Sequence, residues 1–145
     1  MTFKILILSF FIFLAGCVSP GIYIEESNYS VKQHRIAITQ ALGPVREVSR
    51  NGRVIYSAYH DSKFKEIDVT AKTKERYYTK VSILGAIRPY KVSVEVLVDR
   101  RDPDTKQFAF ADRDENLAEK RARTIKEMLN QSRDELTTFD EENPF

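Results

Sequence analysis

The sequence predicts an α+β domain: an antiparallel sheet of about four to five strands with two helices packed on one face. Three observations lead there. Stretches with helical periodicity lie at residues 31–42 and 112–133, before and after everything else that looks folded. The segment between them holds runs of alternating apolar and polar residues, clearest over Tyr90–Asp99. Strands grouped between helices favour two layers, with both helices on the apolar side of one sheet.

Residues 17–29 read as a tether with a short strand at Gly21–Glu25, in which Ile22 and Ile24 share a face. Ser30-Val31-Lys32-Gln33 is a capping-box pattern and Gly43-Pro44 a stop, so a helix is expected over 31–42. Its apolar stripe is Val31, Ile38, Ala41 and Leu42, with Lys32 and Arg35 outside. Val45 to Tyr59 reads as a hairpin over 45–50 and 53–60. Asn51-Gly52 suits a two-residue type I′ turn, in which both residues take positive φ. Within 53–60, Val54, Tyr56 and Ala58 face one way and Ile55, Ser57 and Tyr59 the other. Residues 61–75 are polar, with an alternating strand pattern over 65–71.

Tyr77–Leu84 is a strand with Tyr77, Thr79, Val81 and Ile83 on one face. In the next, Tyr90, Val92, Val94, Val96 and Val98 point inward; Lys91, Ser93, Glu95 and Asp99 point to a wet face, with Leu97 the exception. Asp102-Pro103-Asp104 marks a turn, and a strand returns over 106–111 through Phe108 and Phe110. Asp112 and Glu115 repeat the capping box and open the second helix, whose stripe is Leu117, Ala118, Ala122, Ile125, Met128, Leu129 and Leu136. Glu119 and Arg123 are spaced for an i,i+4 ion pair. The folded domain is thus expected over 30–133, followed by an acidic flexible tail over 134–145.

The first twenty residues are of a different kind. Lys4 is followed by an apolar run from Ile5 to Leu14, a basic n-region and an h-region of secretory length. The run ends at Val18, short of the roughly 20 apolar residues a spanning helix needs, and Ser19-Pro20-Gly21 breaks it. Leu14-Ala15-Gly16-Cys17 then stands in register with both. The segment resembles the lipobox of bacterial lipoproteins. That resemblance implies that residues 1–16 are a signal peptide cut between Gly16 and Cys17, that the Cys17 sulfur carries a diacylglyceryl group, and that the new amine receives a fatty acyl chain such as palmitate. Cys17 is the only cysteine in the chain. Val18, where family members kept in the inner membrane carry Asp, points to the outer membrane facing the periplasm.

The leader holds one basic and no acidic residue, which leaves 22 basic against 21 acidic in the rest. Near-neutrality argues against nucleic acid as a partner, since a nucleic-acid binder would show a clustered basic excess. With Cys17 acylated no thiol remains for a disulfide, so the fold rests on packing. His34 and His60, the two histidines, lack a His or Cys partner at ligand spacing and read as surface residues; no metal or cofactor is implied. Phosphate loops and nucleophile elbows are absent, so the chain reads as no enzyme.

Two clusters merit weighing. Asp99, Asp102, Asp104, Asp112, Asp114 and Glu115 offer a cation site, but without the ligand spacing or glycine of a calcium loop; turn and capping chemistry explains them better. Lys72, Lys74, Arg76 and Lys80, beside Tyr77 and Tyr78, are candidates for contact with an anionic surface, against the plainer reading of a charged solvated edge. The region after the leader is similar in outline to small envelope-assembly lipoproteins. Helix, Leu42-Gly43-Pro44 and hairpin resemble the small lipoprotein of the outer-membrane β-barrel assembly machine, although only one opening helix is present. A sheet covered by an early and a late helix resembles the lipoprotein that plugs the lipopolysaccharide translocon. The expected function is a non-enzymatic binding or assembly component of the envelope, attached to the membrane through lipid on Cys17, with another envelope protein or lipid as partner. The Tyr77–Asp99 hairpin would offer the surface if its edge is exposed. The alternative is a cation-dependent binder or hydrolase acting on lipid or glycan through the acidic turn at 99–115.

Overall fold

A computed structural model describes the backbone of residues 21–142 and the side chains as far as Ser132. Gly16 and Cys17, with the rest of the leader, lie outside the described residues, as does the Leu136 side chain. The elements in chain order are β1 (Ile22–Ser27), α1 (Val31–Leu42), β2 (Val45–Val48), β3 (Val54–Ser57), β4 (Glu75–Leu84), β5 (Tyr90–Arg101), β6 (Phe108–Arg113) and α2 (Glu115–Glu142). The class is α+β. Among the described residues the antiparallel sheet has six strands, ordered β1-β5-β4-β3-β2, with β6 also on β5.

β1 is the short strand expected at Gly21–Glu25; it pairs with β5, so residues 22–27 belong to the sheet and not to a tether. Its Ile22 and Ile24 pair with Val94 and Val92, so the apolar face expected for this segment lies on the core. The other long edge of β5 is filled by β4, paired without a break from Glu75↔Arg100 to Leu84↔Lys91. Both members of the Tyr77–Asp99 hairpin are therefore interior strands, and the edges belong to β1, β6 and β2.

α1 has the bounds its capping signals predict. Ser30 Oγ accepts from the Gln33 N–H, Gln33 Oε1 accepts from the Ser30 N–H, and Gly43 ends the helix at φ 74°. α2 begins later than expected. Asp114, not Asp112, is its cap, accepting from the Leu117 N–H at 2.9 Å, because Asp112 is still in β6 opposite Val98. The helix also continues to Glu142, past the expected end at 133. Glu119 and Arg123 do pair, at 3.6 Å on the exposed surface.

The β2–β3 turn is not type I′. Gly52 donates to the Ser49 carbonyl at 2.8 Å, and Gly52 takes positive φ (68°) while Asn51 does not. Asn51 Oδ1 instead accepts from Ser49 Oγ and the Arg53 N–H, which holds a four-residue turn. Residues 65–71 form no strand. The Asp61 carboxylate accepts from the Lys63 and Lys65 N–H groups and folds this stretch into an irregular loop.

Ala37, Ile38 and Leu42 of α1 and Ala122, Ile125 and Leu129 of α2 pack on Ile55, Val81, Ile83, Val92 and Val94 of the sheet, so both helices cover one face. The two histidines are buried within this layer, contrary to a surface reading. His34 Nδ1 donates to the Ser30 carbonyl at 2.9 Å, its Nε2 meets Ser27 Oγ at 2.7 Å, and the ring lies edge-on to Tyr29 and Tyr90. His60 Nδ1 donates to the Asp61 carbonyl at 2.8 Å and its Nε2 meets Thr79 Oγ1. Hydrogen bonding to local backbone is what makes burial of each ring tolerable.

Two outcomes follow from this packing. Ile38→Ala, at a fully buried site, is expected to cost about 2–5 kcal/mol in urea unfolding, whereas Ile36→Ala, nearly half exposed two residues earlier, is expected to cost under about 1 kcal/mol. Burial lowers the pKa of His34 and of His60 from 6.5. The unfolded chain therefore takes up protons first on acidification. Stability is complete above about pH 6.5 and is lost as pH falls from there toward the lowered folded values. A thermal-unfolding series from pH 7.5 to 5 checks this, and a flat profile would contradict the burial of both rings.

Candidate functional site: the helix-free face of the sheet

On the side of the sheet away from the helices, β5 places Lys91, Ser93, Glu95, Leu97, Asp99 and Arg101. This face is far drier than its sequence suggests. Leu97 is 8% exposed and so is Asp99. The reason is cross-strand cover. Tyr78 and Arg113 are the register partners of Leu97, and Arg76 and Phe110 those of Asp99.

Charged partners occupy the centre. Arg76 directs Nε and Nη2 to Asp99 Oδ2 at 3.1 and 3.0 Å. Glu95 holds Lys80 at 2.9 Å through one oxygen and Arg113 at 3.2 Å through the other. Burial opposes ionisation of Glu95, but these two cations prevail and keep its carboxyl below the ordinary range. Two of the four expected anion-contact residues, Arg76 and Lys80, are thus committed to carboxylates of the same face. Lys72 and Lys74 are exposed, on the loop before β4.

Across these strands runs a stack that sequence reasoning did not anticipate. Arg46 of β2 lies over Tyr59 (4.4 Å) and Tyr78 (5.1 Å), and its Nη1 donates to the Tyr59 hydroxyl. Arg76 is held between Tyr59 (4.0 Å) and Phe108 (4.1 Å), and Arg101 continues over Phe108 at 4.5 Å. Tyr59 reaches this face because β3 ends at Ser57, so strict alternation no longer assigns it to the Ile55 side. Its only sequence trace is the recurrence of Tyr and Phe opposite Arg on strands whose pairing must already be known. Counting side chains in register, Arg46, Arg76, Lys80, Lys91, Arg101 and Arg113 stand against Glu47, Glu95 and Asp99, a basic excess. Phe110 projects at 56% exposure beside Arg113, 5.2 Å from its ring.

The acidic turn behaves differently. Asp102 Oδ1 accepts from the Asp104 and Thr105 N–H groups, Asp99 faces Arg76, and Asp114 caps α2. Among the described residues no three His, Cys, Asp or Glu side chains converge as a metal site.

The stack gives a sharp expectation. Arg76→Lys keeps the charge but loses the planar fork on Asp99 and two aromatic contacts of about 0.5–1 kcal/mol each, so a loss of roughly 1–2 kcal/mol is expected in urea unfolding. Lys80→Arg, on the neighbouring pair, is expected to change stability by no more than about 0.5 kcal/mol.

Compared with known proteins, the chain matches no family model and no curated protein sequence.

Proposed function

We propose that this chain is a lipid-anchored envelope protein, held at the outer membrane facing the periplasm, that acts by binding and not by catalysis. The observation that carries this reading is Leu14-Ala15-Gly16-Cys17 following Lys4 and an apolar run of secretory length. Acyl chains on Cys17 would attach the domain stably, since two or more chains are needed for lasting anchorage. With β1 beginning at Ile22, Cys17 and Gly21 are only four residue steps apart, so the anchor holds the sheet within about 14 Å. Tethering at that range raises the local concentration of a membrane-associated partner, and a weak interface suffices.

The helix-free face is the surface we assign to the partner, another envelope protein or lipid. Its basic excess and its planar Arg and aromatic groups suit an acidic surface. The rival reading, cation-dependent chemistry at residues 99–115, gains nothing from carboxylates already engaged in a turn, a cap and an ion pair.

The anchor is tested by Cys17→Ser in the full chain, which should keep its leader uncut and take up no labelled fatty acid; normal processing would refute it. The surface is tested with a photo-crosslinking residue at Phe110 in cells. A discrete adduct is expected there and none at exposed Lys120 on α2. Equal adducts at both positions would count against the assigned face.

A further inference from the structure

The loop between β3 and β4 closes over one residue that breaks the rules of a protein interior. Arg121, on α2, is 9% exposed and makes no salt bridge among the described residues. Its Nη1 donates to the Ala41 carbonyl at 2.9 Å, in the last turn of α1, but its Nε is buried without a partner among the described residues. The Phe64 ring covers the guanidinium at 4.0 Å. Phe64 takes φ 63°, a conformation few non-glycine residues adopt, so the loop is strained at the residue that seals this charge. His60, 3% exposed, packs against the same ring at 5.2 Å.

A guanidinium does not lose its proton in a protein, so it cannot escape burial by becoming neutral. A buried charge needs a counter-charge or full hydrogen bonding. The helix C-terminus at Ala41 supplies only a partial negative charge. Arg121 and His60 both line a cavity of about 30 Å³, with Leu42, Pro44, Ser57 and Phe64 among the other walls. That space is enough for a water or one small monatomic ion, and it is partly open to solvent. We propose that this cavity is a binding site for one small monovalent anion of halide size, held by Arg121 as the missing counter-charge. Glu66 also lines the cavity, on the exposed side of the loop, and among the described residues is the carboxylate placed to compete. The site faces the helix layer and does not depend on the membrane anchor or on the helix-free face.

The test uses the full-length chain in detergent at fixed ionic strength, with sodium gluconate replaced stepwise by sodium chloride. Gluconate is far too large for the cavity. The melting temperature is expected to rise by about 3–5 °C per tenfold increase in chloride above its dissociation constant. Arg121→Met should abolish the response, and Glu66→Gln should keep or strengthen it. An identical melting temperature in both salts overturns the proposal, as does a response that survives in Arg121→Met. Should Arg121→Met fail to fold, crystals of the unmodified chain soaked in sodium bromide decide the matter. An anomalous peak in this cavity beside the Arg121 guanidinium supports the site, and water alone at that position refutes it.

Discussion

The structure depends on β5 being paired on both edges along nearly its whole length. β4 takes one edge. The other is divided, with β1 on Tyr90–Val94 and β6 on Leu97–Arg101. At the seam the Val96 carbonyl accepts from the Asp114 N–H, so the gap between the two short strands is closed by the cap of α2. Gly21 sits at the same seam, where a Cβ would come within 2.7 Å of the Val94 carbonyl and of Glu95 Cγ. Entry of the chain into the sheet, the end of β6 and the start of α2 therefore converge beside one pair of β5 residues. A larger residue at 21 would press on all three.

The same strand separates two chemistries. Its even-numbered valines face the helices and are almost fully buried. Its odd-numbered residues would leave Leu97 and two carboxylates facing solvent. Arginine resolves both problems, because its planar group stacks on an aromatic face while its edge binds a carboxylate. Arg76 does both at once, between Tyr59 and Phe108 and against Asp99. The helix-free face is consequently largely self-neutralised at its centre, with Arg46, which has no carboxylate partner among the described residues, and the half-exposed ring of Phe110 toward its margins.

Much of the fold was legible wherever the determinants are local. Ser30, Gln33, Gly43 and Pro44 fix α1, and alternation alone identifies β4 and the inward valines of β5. Legibility failed where the deciding partner is distant in sequence. Asp112 and Asp114 look equally able to cap a helix, and only pairing of Asp112 across from Val98 selects the second. The loop before β4 has a strand-like alternation that loses to the Asp61 carboxylate binding two backbone N–H groups. His34 and His60 look like surface residues until Ser30 and Asp61 carbonyls are seen to satisfy them. The aromatic stack joins β2, β4, β5, β6 and Tyr59, two residues past the end of β3, so no window of sequence contains it.

Geometry limits how these features can be used if Cys17 is acylated. The attachment point is Gly21, beside the middle of β5 on the β1/β6 edge, and not at either end of the strands. A tether of at most about 14 Å then turns that edge toward the bilayer. Strands are spaced about 4.8 Å apart, so β2, four strands across from β1, lies roughly 19 Å farther from the anchored edge. With that attachment Phe110 and Arg113, on β6, would stand nearer the lipid than Arg46 and Tyr59. One continuous stack spans the sheet from the β6 edge to the β2 edge. A partner of the anchored domain that met this stack would approach alongside the bilayer and not from above it.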